Sequence, residues 1–328
     1  MKSIVTGGCG FIGSHLVEKL LKNNHKVFII DNFYSGSEKN IAHLLDNKNL
    51  VVINGDINDI NKMMLPNNID YIFHLAGLAD IVPSIENPVD YFKANVTGTL
   101  QVLEFSKKQK NLKKLVYTAS SSCYGIPKTY PTNEEENIDT KYPYALTKFL
   151  GEQLVLHWNQ LYKIPCNSLR LFNVYGIRSR TSGAYGAVFG VFLAQKANNK
   201  PLTIVGDGTQ TRDFTYVTDV VEALYLAALS NISGEIFNVG SGKHISVNYI
   251  SELIGGEKVF IPKRPGEPDC TFADTSKIQN LLKWKPLVDI DHGVKIMLKN
   301  IDYWKKAPVW NKDKINKATK VWFKFLEN

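Results

Sequence analysis

The stretch Thr6-Gly7-Gly8-Cys9-Gly10-Phe11-Ile12-Gly13 decides the fold class of this chain. It follows an apolar, β-prone run at residues 3–5 and opens a segment of helical spacing at residues 11–21. Glycine permits the tight turn and the close backbone approach that a pyrophosphate needs, and the helix that follows offers unpaired N–H groups. Because a glycine turn alone is common, the strand before it and the helix after it carry the prediction of a dinucleotide-binding unit.

The alternation of strand and helix patterns continues along the chain. Further strands are predicted at 26–30, 50–54, 71–74, 114–119, 166–171 and 236–239, and helices at 89–107, 143–161 and 185–197. Such alternation predicts an α/β fold, a doubly wound parallel Rossmann sheet with helices on both faces. From about residue 202 the segments are shorter and richer in Gly and Pro, which indicates a smaller interleaved C-terminal α/β lobe. We expect the Rossmann domain at 1–172 plus 214–240 and the second lobe at 173–213 plus 241–328.

Asp31 ends the second predicted strand, 18 residues after Gly13. A carboxylate at that point accepts hydrogen bonds from the adenosine ribose hydroxyls and repels a 2′-phosphate. Alone, an aspartate here would be read as a turn residue. Together with the glycine loop it predicts NAD as the cofactor, in preference to NADP.

The composition of the 328 residues, 44% hydrophobic and 21% charged, is typical of a globular protein and excludes a disordered or collagen-like chain. No run of about 18 apolar residues occurs, so no membrane-spanning helix is predicted. Residues 1–7 enter the first strand directly, which does not fit a signal peptide, and a cytoplasmic location is expected.

The four cysteines lie far apart, without a C-x-x-C pair, so neither a metal site nor a disulfide framework is expected. Half of the net charge of +8 lies in residues 301–328, which carry seven lysines against three carboxylates. The mildly basic remainder suits an anionic small molecule, and no zinc finger, basic zipper or RNA-recognition signature is present. Nucleic acid is therefore not expected as a partner.

Tyr144 and Lys148 form a Y-x-x-x-K motif at the start of a predicted helix, where the i, i+4 spacing puts both side chains on one face. A free tyrosine has a pKa of about 10. A neighbouring ammonium and a positively charged nicotinamide would both lower the pKa of Tyr144, so that its phenolate could act as a base. The hydroxyl-rich run at 120–125 follows a predicted strand, and hydroxyls at that end of a parallel strand lie at the cofactor crevice.

With these motifs the chain resembles the extended short-chain dehydrogenases/reductases, and within them the nucleotide-sugar epimerases and dehydratases. The resemblance covers roughly residues 2–300 and includes the stretches at 31–32, 55–57, 74–77, 95–99, 169–176, 212–219 and 237–242. It implies an NAD-dependent enzyme whose second lobe binds a sugar nucleotide. A non-catalytic NAD-sensing protein on the same fold is the alternative of another class, but such a protein should lack the Tyr/Lys pair.

The resemblance also assigns roles by position. The implied catalytic residues are Ser120, Tyr144 and Lys148. The implied cofactor-binding residues are Gly7, Gly10, Phe11, Ile12, Gly13, Asp31, Asn32, Asp56, Ile57, Leu75, Ala76, Asn95, Tyr144, Lys148 and Phe172. The implied substrate-binding residues are Ser84, Ser122, Asn173, Arg212, Arg264 and Thr271, with the two arginines and Asn173 on the diphosphate.

The residues after Ser120 favour one reaction of this family over the others. In 4,6-dehydratases the two following positions resemble an Asp-Glu pair, and in UDP-glucuronate decarboxylases the second is a glutamate. Ser121 and Ser122 cannot do carboxylate chemistry, so a UDP-sugar 4-epimerase acting on UDP-glucose/galactose or UDP-GlcNAc/GalNAc is expected. The alternatives within the family are a UDP-glucuronate 4-epimerase, a 4,6-dehydratase with relocated acids and a decarboxylase. Ser120 is the expected catalytic hydroxyl, with Ser122 as the second choice.

Three further expectations concern size, assembly and the end of the chain. The family resemblance puts Thr271 beside the C2 substituent of the sugar, where a small residue leaves room for an acetamido group. It also implies a homodimer through the helices at 89–107 and 143–161. In the last segment, an apolar stripe through Ile315, Ala318, Trp322 and Phe325 predicts a helix docked on the body, in preference to a membrane-surface or partner-binding role.

Overall fold

The computed structural model describes residues 1–179 and 187–326. Its strands are β1 (Lys2–Thr6), β2 (Lys26–Asp31), β3 (Leu50–Asn54), β4 (Tyr71–His74), β5 (Lys114–Ser120), β6 (Cys166–Leu171), β7 (Asn173–Tyr175), β8 (Leu202–Val205), β9 (Thr211–Arg212), β10 (Phe214–Tyr216), β11 (Ile236–Val239), β12 (Ile245–Ser246) and β13 (Lys258–Ile261). Its helices are α1 (Phe11–Lys22), α2 (Ile81–Glu86), α3 (Pro88–Phe92), α4 (Gly98–Lys107), α5 (Pro143–Tyr162), α6 (Val188–Ala197), α7 (Val217–Leu229), α8 (Val247–Ile254), α9 (Ser276–Leu282), α10 (Ile290–Lys299), α11 (Lys312–Ala318) and α12 (Lys320–Leu326).

Seven strands form a parallel sheet in the order β11-β6-β5-β4-β1-β2-β3, which confirms the predicted fold class. Successive side chains of a strand point to opposite faces, so neighbouring residues enter different layers. Ile4 belongs to the core under α4 and α5, whereas Val5 belongs to the core under α1 and α7. Both faces are therefore buried, as the continuous apolar strands predict.

The helix predicted at 89–107 is interrupted in the structure. The chain runs through α3, one π turn (Lys93–Thr97) and then α4. The Asn95 side chain in this turn accepts from the Leu78 N–H at 2.7 Å and donates to the Leu78 carbonyl at 3.0 Å, and Thr99 bonds the Asn95 carbonyl. A π turn of this kind commonly marks a functional region. The helix predicted at 185–197 begins at Val188, and residue 185 lies outside the described residues.

A second core lies between α6, α8 and α10 and the small sheet of β8 and β13. The two cores are interleaved in sequence. Trp284 and α9 pack into the first core although they lie in the predicted second lobe, and Phe11 and Ile12 pack against the second core. The division into two domains at the predicted boundaries stays a prediction.

The last segment docks on the body as two short helices instead of one. Ile315 of α11 is buried in the second core, and Trp322 of α12 is buried against a loop at residues 264–267. Phe325, the last residue of the predicted stripe, is 56% exposed. Throughout the described residues, no helix is long and apolar enough to cross a bilayer.

Candidate active site

A crevice of about 1060 Å³ opens at the carboxyl ends of β1, β4 and β5, where the strand order reverses. The structure brings most of the predicted site residues together on its walls. They are Gly7, Gly10, Phe11, Ile12, Gly13, Asp31, Asn32, Asp56, Ile57, Leu75, Ala76, Ser120, Ser122, Tyr144, Lys148, Phe172, Asn173, Arg212, Arg264 and Thr271.

Ser84 and Asn95 are the two predicted site residues that do not line the crevice. Ser84 is fully buried in α2 and donates to the Ile81 carbonyl at 2.6 Å, so its hydroxyl is used within its own helix. Asn95 spans Leu78 and the hydroxyl of Thr147 from within the π turn. Both residues therefore support the crevice wall through hydrogen bonds and do not line it. The spacing of residues along the sequence does not reveal this difference.

The glycine loop suits a pyrophosphate because its backbone is bare: at Gly7 and Gly13 the surrounding backbone leaves no space for a side chain. A Cβ on Gly13 would lie 2.1 Å from the Gly7 carbonyl oxygen, and a Cβ on Gly7, whose φ is +71°, would lie 2.8 Å from the Ala76 nitrogen. The helix α1 starts from Gly10 without a side-chain cap, so its first N–H groups face the loop. Bare N–H groups and a positive dipole end are what an anionic diphosphate needs.

Asp31 lies at the edge of the crevice with its carboxylate already oriented. One oxygen accepts from the Cys9 N–H and the other from the Phe33 N–H, both at 2.9 Å. Burial raises the pKa of Asp31 above its ordinary value, and the two N–H groups oppose that shift. A carboxylate fixed in this way suits two ribose hydroxyls, and its negative charge would repel a 2′-phosphate.

Helix α5 positions the predicted catalytic pair, Tyr144 and Lys148. It starts with Pro143 in its first turn, so Tyr144 and Lys148 are one turn apart on the face toward β5. Ser120 and Tyr144 both line the crevice, and Ser120 accepts from the Ser122 hydroxyl at 2.8 Å. The Lys148 ammonium lies over the Tyr117 ring, 4.5 Å from its centre. The three predicted catalytic residues and Ser122 are thus assembled in one cluster.

Burial dominates the electrostatics of this cluster. It lowers the pKa of Lys148 from 10.5 to about 7, and it raises the pKa of Tyr144, a rise that the neighbouring Ser120 hydroxyl opposes. From the sequence alone, the neighbouring ammonium is expected to lower the pKa of Tyr144. Since burial is the larger effect here, a cation that enters the crevice has to lower it further before the phenolate forms.

Several residues that line the crevice are not predicted from the sequence. Tyr142 stacks parallel to Tyr144 with ring centres 6.5 Å apart, and Tyr91 meets Tyr144 edge-on at 6.4 Å. Asp80 lines the crevice with a φ of +83°, and its charge contributes to the raised pKa of Tyr144. Tyr142 directly precedes the Y-x-x-x-K motif and could have been found from that position, whereas Tyr91 and Asp80 carry no local signal.

At the far end of the crevice, Glu267 joins the two predicted diphosphate arginines. It pairs with Arg264 at 3.0 Å and with Arg212 at 3.7 Å. Nearby, the Thr271 hydroxyl donates to the Asn173 side-chain oxygen at 3.0 Å and accepts from the Asp213 N–H at 3.1 Å. The small side chain at 271 therefore also orients Asn173. Within the described residues, no group of three His, Cys, Asp or Glu side chains is placed to hold a metal ion.

A Rossmann sheet with a glycine cradle, a carboxylate at the end of β2 and a Ser-Tyr-Lys cluster on one crevice is typical of an oxidoreductase-like enzyme that uses a dinucleotide. Residues 3–240 match the model of the NAD dependent epimerase/dehydratase family, and the chain belongs to this family. Its cofactor is NAD, as the sequence predicts.

The chain is similar to several named proteins of this family. A putative UDP-glucose 4-epimerase of Methanocaldococcus jannaschii is 37% identical over 301 residues, which is 89% of this chain and 95% of that protein. The structure resembles that of a UDP-N-acetylglucosamine 4-epimerase from Methanobrevibacter ruminantium in complex with UDP-N-acetylmuramic acid, with a TM-score of 0.83, 33% identity and coverage of 91% and 98%. It also resembles a UDP-glucuronic acid 4-epimerase from Bacillus cereus in complex with UDP-glucuronic acid and NAD, with a TM-score of 0.84, 35% identity and coverage of 93% and 99%.

Proposed function

We propose that this enzyme is a 4-epimerase of a UDP-sugar, either UDP-glucose/UDP-galactose or UDP-GlcNAc/UDP-GalNAc. One observation carries the proposal: Ser120 and Tyr144 stand together on the crevice wall, while Ser121 and Ser122 stand where elimination and decarboxylation need carboxylates. The chain can then take part in removing and returning the C4 hydroxyl proton, but not in eliminating water at C5–C6 through these positions. The three named relatives are 4-epimerases of three different UDP-sugars, which supports the reaction class and leaves the sugar open.

Tyr144 is the proposed general base for the C4 hydroxyl and returns the proton after the 4-keto sugar has turned in the crevice. Ser120 holds the C4 oxygen, and its own oxygen is held by Ser122. Burial lowers the pKa of Lys148 to about 7. When Lys148 is protonated, its positive charge favours the phenolate form of Tyr144. Bound NAD supplies reversible hydride acceptance at C4, so no cofactor is consumed.

The glycine loop, Asp31 and Asn32 are proposed to hold NAD, with Asp56 and Ile57 at the adenine, Leu75 and Ala76 along the nucleotide and Phe172 beside the nicotinamide ribose. Ser84 and Asn95 would support this site from behind the wall. Asn173, Arg212 and Arg264 are proposed to bind the diphosphate of the sugar nucleotide, with Glu267 holding the two guanidinium groups side by side. Apart from Ser84 and Asn95, all of these residues line the crevice.

Thr271 supports a pocket that accepts an acetamido group. It lines the crevice beside Asn173 and carries no bulk that would fill the space next to a C2 substituent. We expect UDP-GlcNAc to be a substrate at least as good as UDP-glucose.

A homodimer is part of the proposal. Helices α4 and α5 pack side by side, and Leu100, Leu150, Leu154 and Leu156 are only half-buried in the chain alone. Two such pairs, related by a twofold axis, would cover these side chains in a four-helix bundle.

Product analysis tests the reaction. The purified enzyme is incubated separately with UDP-glucose, UDP-GlcNAc and UDP-glucuronate, and the products are read by NMR. Inversion at C4 without change in mass is the expected result. A 4-keto-6-deoxy sugar as product would instead favour a dehydratase with relocated acids. The candidate for such an acid is Asp80, a carboxylate on the crevice wall whose charge acts on Tyr144. A pentose with release of CO₂ would replace the proposal by a decarboxylase.

A further inference from the structure

The C-terminal helix α12 lies outside the part of the chain that matches the family model, yet it reaches the crevice. Its residue Trp322 is 3% exposed and lines the crevice beside Arg264 and Glu267. We infer that residues 312–326 form a wall of the sugar-nucleotide site and that Trp322 is a positioning residue, which holds Arg264 in place for the diphosphate. The inference rests on the proposed role of Arg264.

Three contacts tie α12 to the loop at 264–267. The Arg264 guanidinium lies 5.4 Å from the centre of the Trp322 ring system. The Trp322 indole N–H donates to the Pro265 carbonyl at 2.7 Å. Leu326 lies against Gly266, where a Cβ would sit 3.7 Å from the Leu326 Cβ. Three consecutive loop residues are thus held by one short helix.

The helix α12 is itself held from two sides. It packs against α2, which follows β4 in the Rossmann part of the chain. Through α11 it is anchored in the second core by Ile315, which is 2% exposed and whose carbonyl accepts from the Thr319 hydroxyl at 2.8 Å. The α12 helix therefore joins both walls of the crevice at the end where the arginines lie.

The consequence for Arg264 is preorganisation. An arginine has many rotamers, and fixing them on binding lowers affinity for an anion. Here the cation–π contact with Trp322 and the ion pair with Glu267 fix the side chain before a diphosphate arrives. Removal of the indole leaves the charge of Arg264 and takes away its fixed position, so the effect falls on substrate affinity.

The test measures binding of UDP to the NAD-loaded enzyme by calorimetry for the wild type, Trp322→Ala, Trp322→Phe, Arg264→Ala and the Trp322→Ala/Arg264→Ala double variant. We expect Trp322→Ala to raise the Kd of UDP about tenfold and Trp322→Phe to raise it less, with the affinity for NAD unchanged. The double variant should bind no worse than Arg264→Ala, because Trp322 acts through Arg264. The matched control is Phe325→Ala, an exposed aromatic residue of the same helix, which should bind UDP like the wild type.

The outcomes separate this inference from the proposed function. If Arg264→Ala binds UDP like the wild type, the assignment of Arg264 to the diphosphate fails. If Arg264→Ala weakens binding but Trp322→Ala does not, or if the two effects add in the double variant, the role of Trp322 fails alone. If Trp322→Ala does not fold, the Trp322→Phe variant decides, since it keeps an aromatic ring and loses the N–H to Pro265. Unchanged UDP affinity in that variant would then overturn the inference.

Discussion

The Ser122 hydroxyl donates to the Ser120 hydroxyl across 2.8 Å, and the Ser122 backbone N–H reaches the same oxygen at 3.2 Å. The oxygen of Ser120 thus accepts twice, and its own proton is directed toward Tyr144 or a substrate oxygen. Two adjacent hydroxyls that look equivalent in the sequence therefore take different roles, one as the contact to the reacting oxygen and one as its support.

This order predicts unequal effects of the two alanine variants. Ser120→Ala should lower kcat about 100-fold because it removes the hydrogen bond to the C4 oxygen, and Ser122→Ala should lower it only several-fold. Steady-state kinetics on the preferred UDP-sugar measures both. A larger loss in Ser122→Ala than in Ser120→Ala would exchange the two roles.

Tyr144→Phe removes the proposed base and keeps the ring that stacks on Tyr142. We expect a folded variant that binds NAD and has lost about 10²–10⁴-fold in kcat. Tyr142→Phe serves as the matched control, since it also removes one hydroxyl from the same aromatic stack and should keep most of the activity. Normal turnover in Tyr144→Phe would contradict the mechanism.

The cofactor preference should depend on Asp31. Asp31→Asn keeps an oxygen for one of the N–H groups of Cys9 and Phe33 and removes the charge that repels a 2′-phosphate. The wild type should bind NAD more tightly than NADP, and the variant should narrow the ratio of the two Kd values by about tenfold. Fluorescence titration with both cofactors gives the ratio. Tighter binding of NADP by the wild type would show that Asp31 has another role.

Substrate size should respond to position 271. Thr271→Tyr fills the space beside the C2 substituent, so kcat/KM should fall far more for UDP-GlcNAc than for UDP-glucose. The substitution also removes the hydroxyl that orients Asn173. Thr271→Val removes that hydroxyl without added bulk and should lower kcat/KM equally for UDP-GlcNAc and UDP-glucose. Equal losses in Thr271→Tyr as well would exclude a steric role for this position.

Burial of Lys148 makes the stability of the fold depend on pH. Its pKa is about 7 in the folded chain and ordinarily 10.5, so between these values the unfolded chain binds the extra proton and stability rises with pH. Lys148→Met removes this dependence. At pH 6.5 the free energy of unfolding should be higher for the variant than for the wild type. At pH 9.5 this difference should be smaller, by on the order of 1–3 kcal/mol.

Urea unfolding at the two pH values measures that difference. Lys285→Met, at an exposed lysine, is the control for loss of one positive charge and should show no such change between the two pH values. A constant difference between Lys148→Met and the wild type would mean that Lys148 remains protonated when buried.

The sequence was informative wherever the signal was local. The strands at 50–54 and 71–74 were predicted to the residue, because short β-branched and aromatic runs between turns leave little choice of where a strand begins and ends. The glycine loop and the Y-x-x-x-K pair were likewise complete within a few residues, and the structure brings both to the same crevice.

What could not be predicted depends on contacts between distant residues. The π turn follows from the reach of Asn95 to Leu78, 17 positions earlier, and the place of Trp322 follows from a carbonyl 57 positions before it. Glu267 joins Arg212 to Arg264, although only the second of these is close in sequence. The raised pKa of Tyr144 is a property of burial, which a motif does not record.

The interleaving of the two cores determines how the chain can fold during its synthesis. The first core lacks Trp284 until residue 284 has left the ribosome, and the indole N–H of that residue donates to the Asp219 carbonyl of α7 at 2.9 Å. Phe11 and Ile12, from the glycine loop, pack in turn against the second core. Neither lobe can therefore reach its final packing during translation before the other, and the cofactor cradle matures together with the far wall of the crevice.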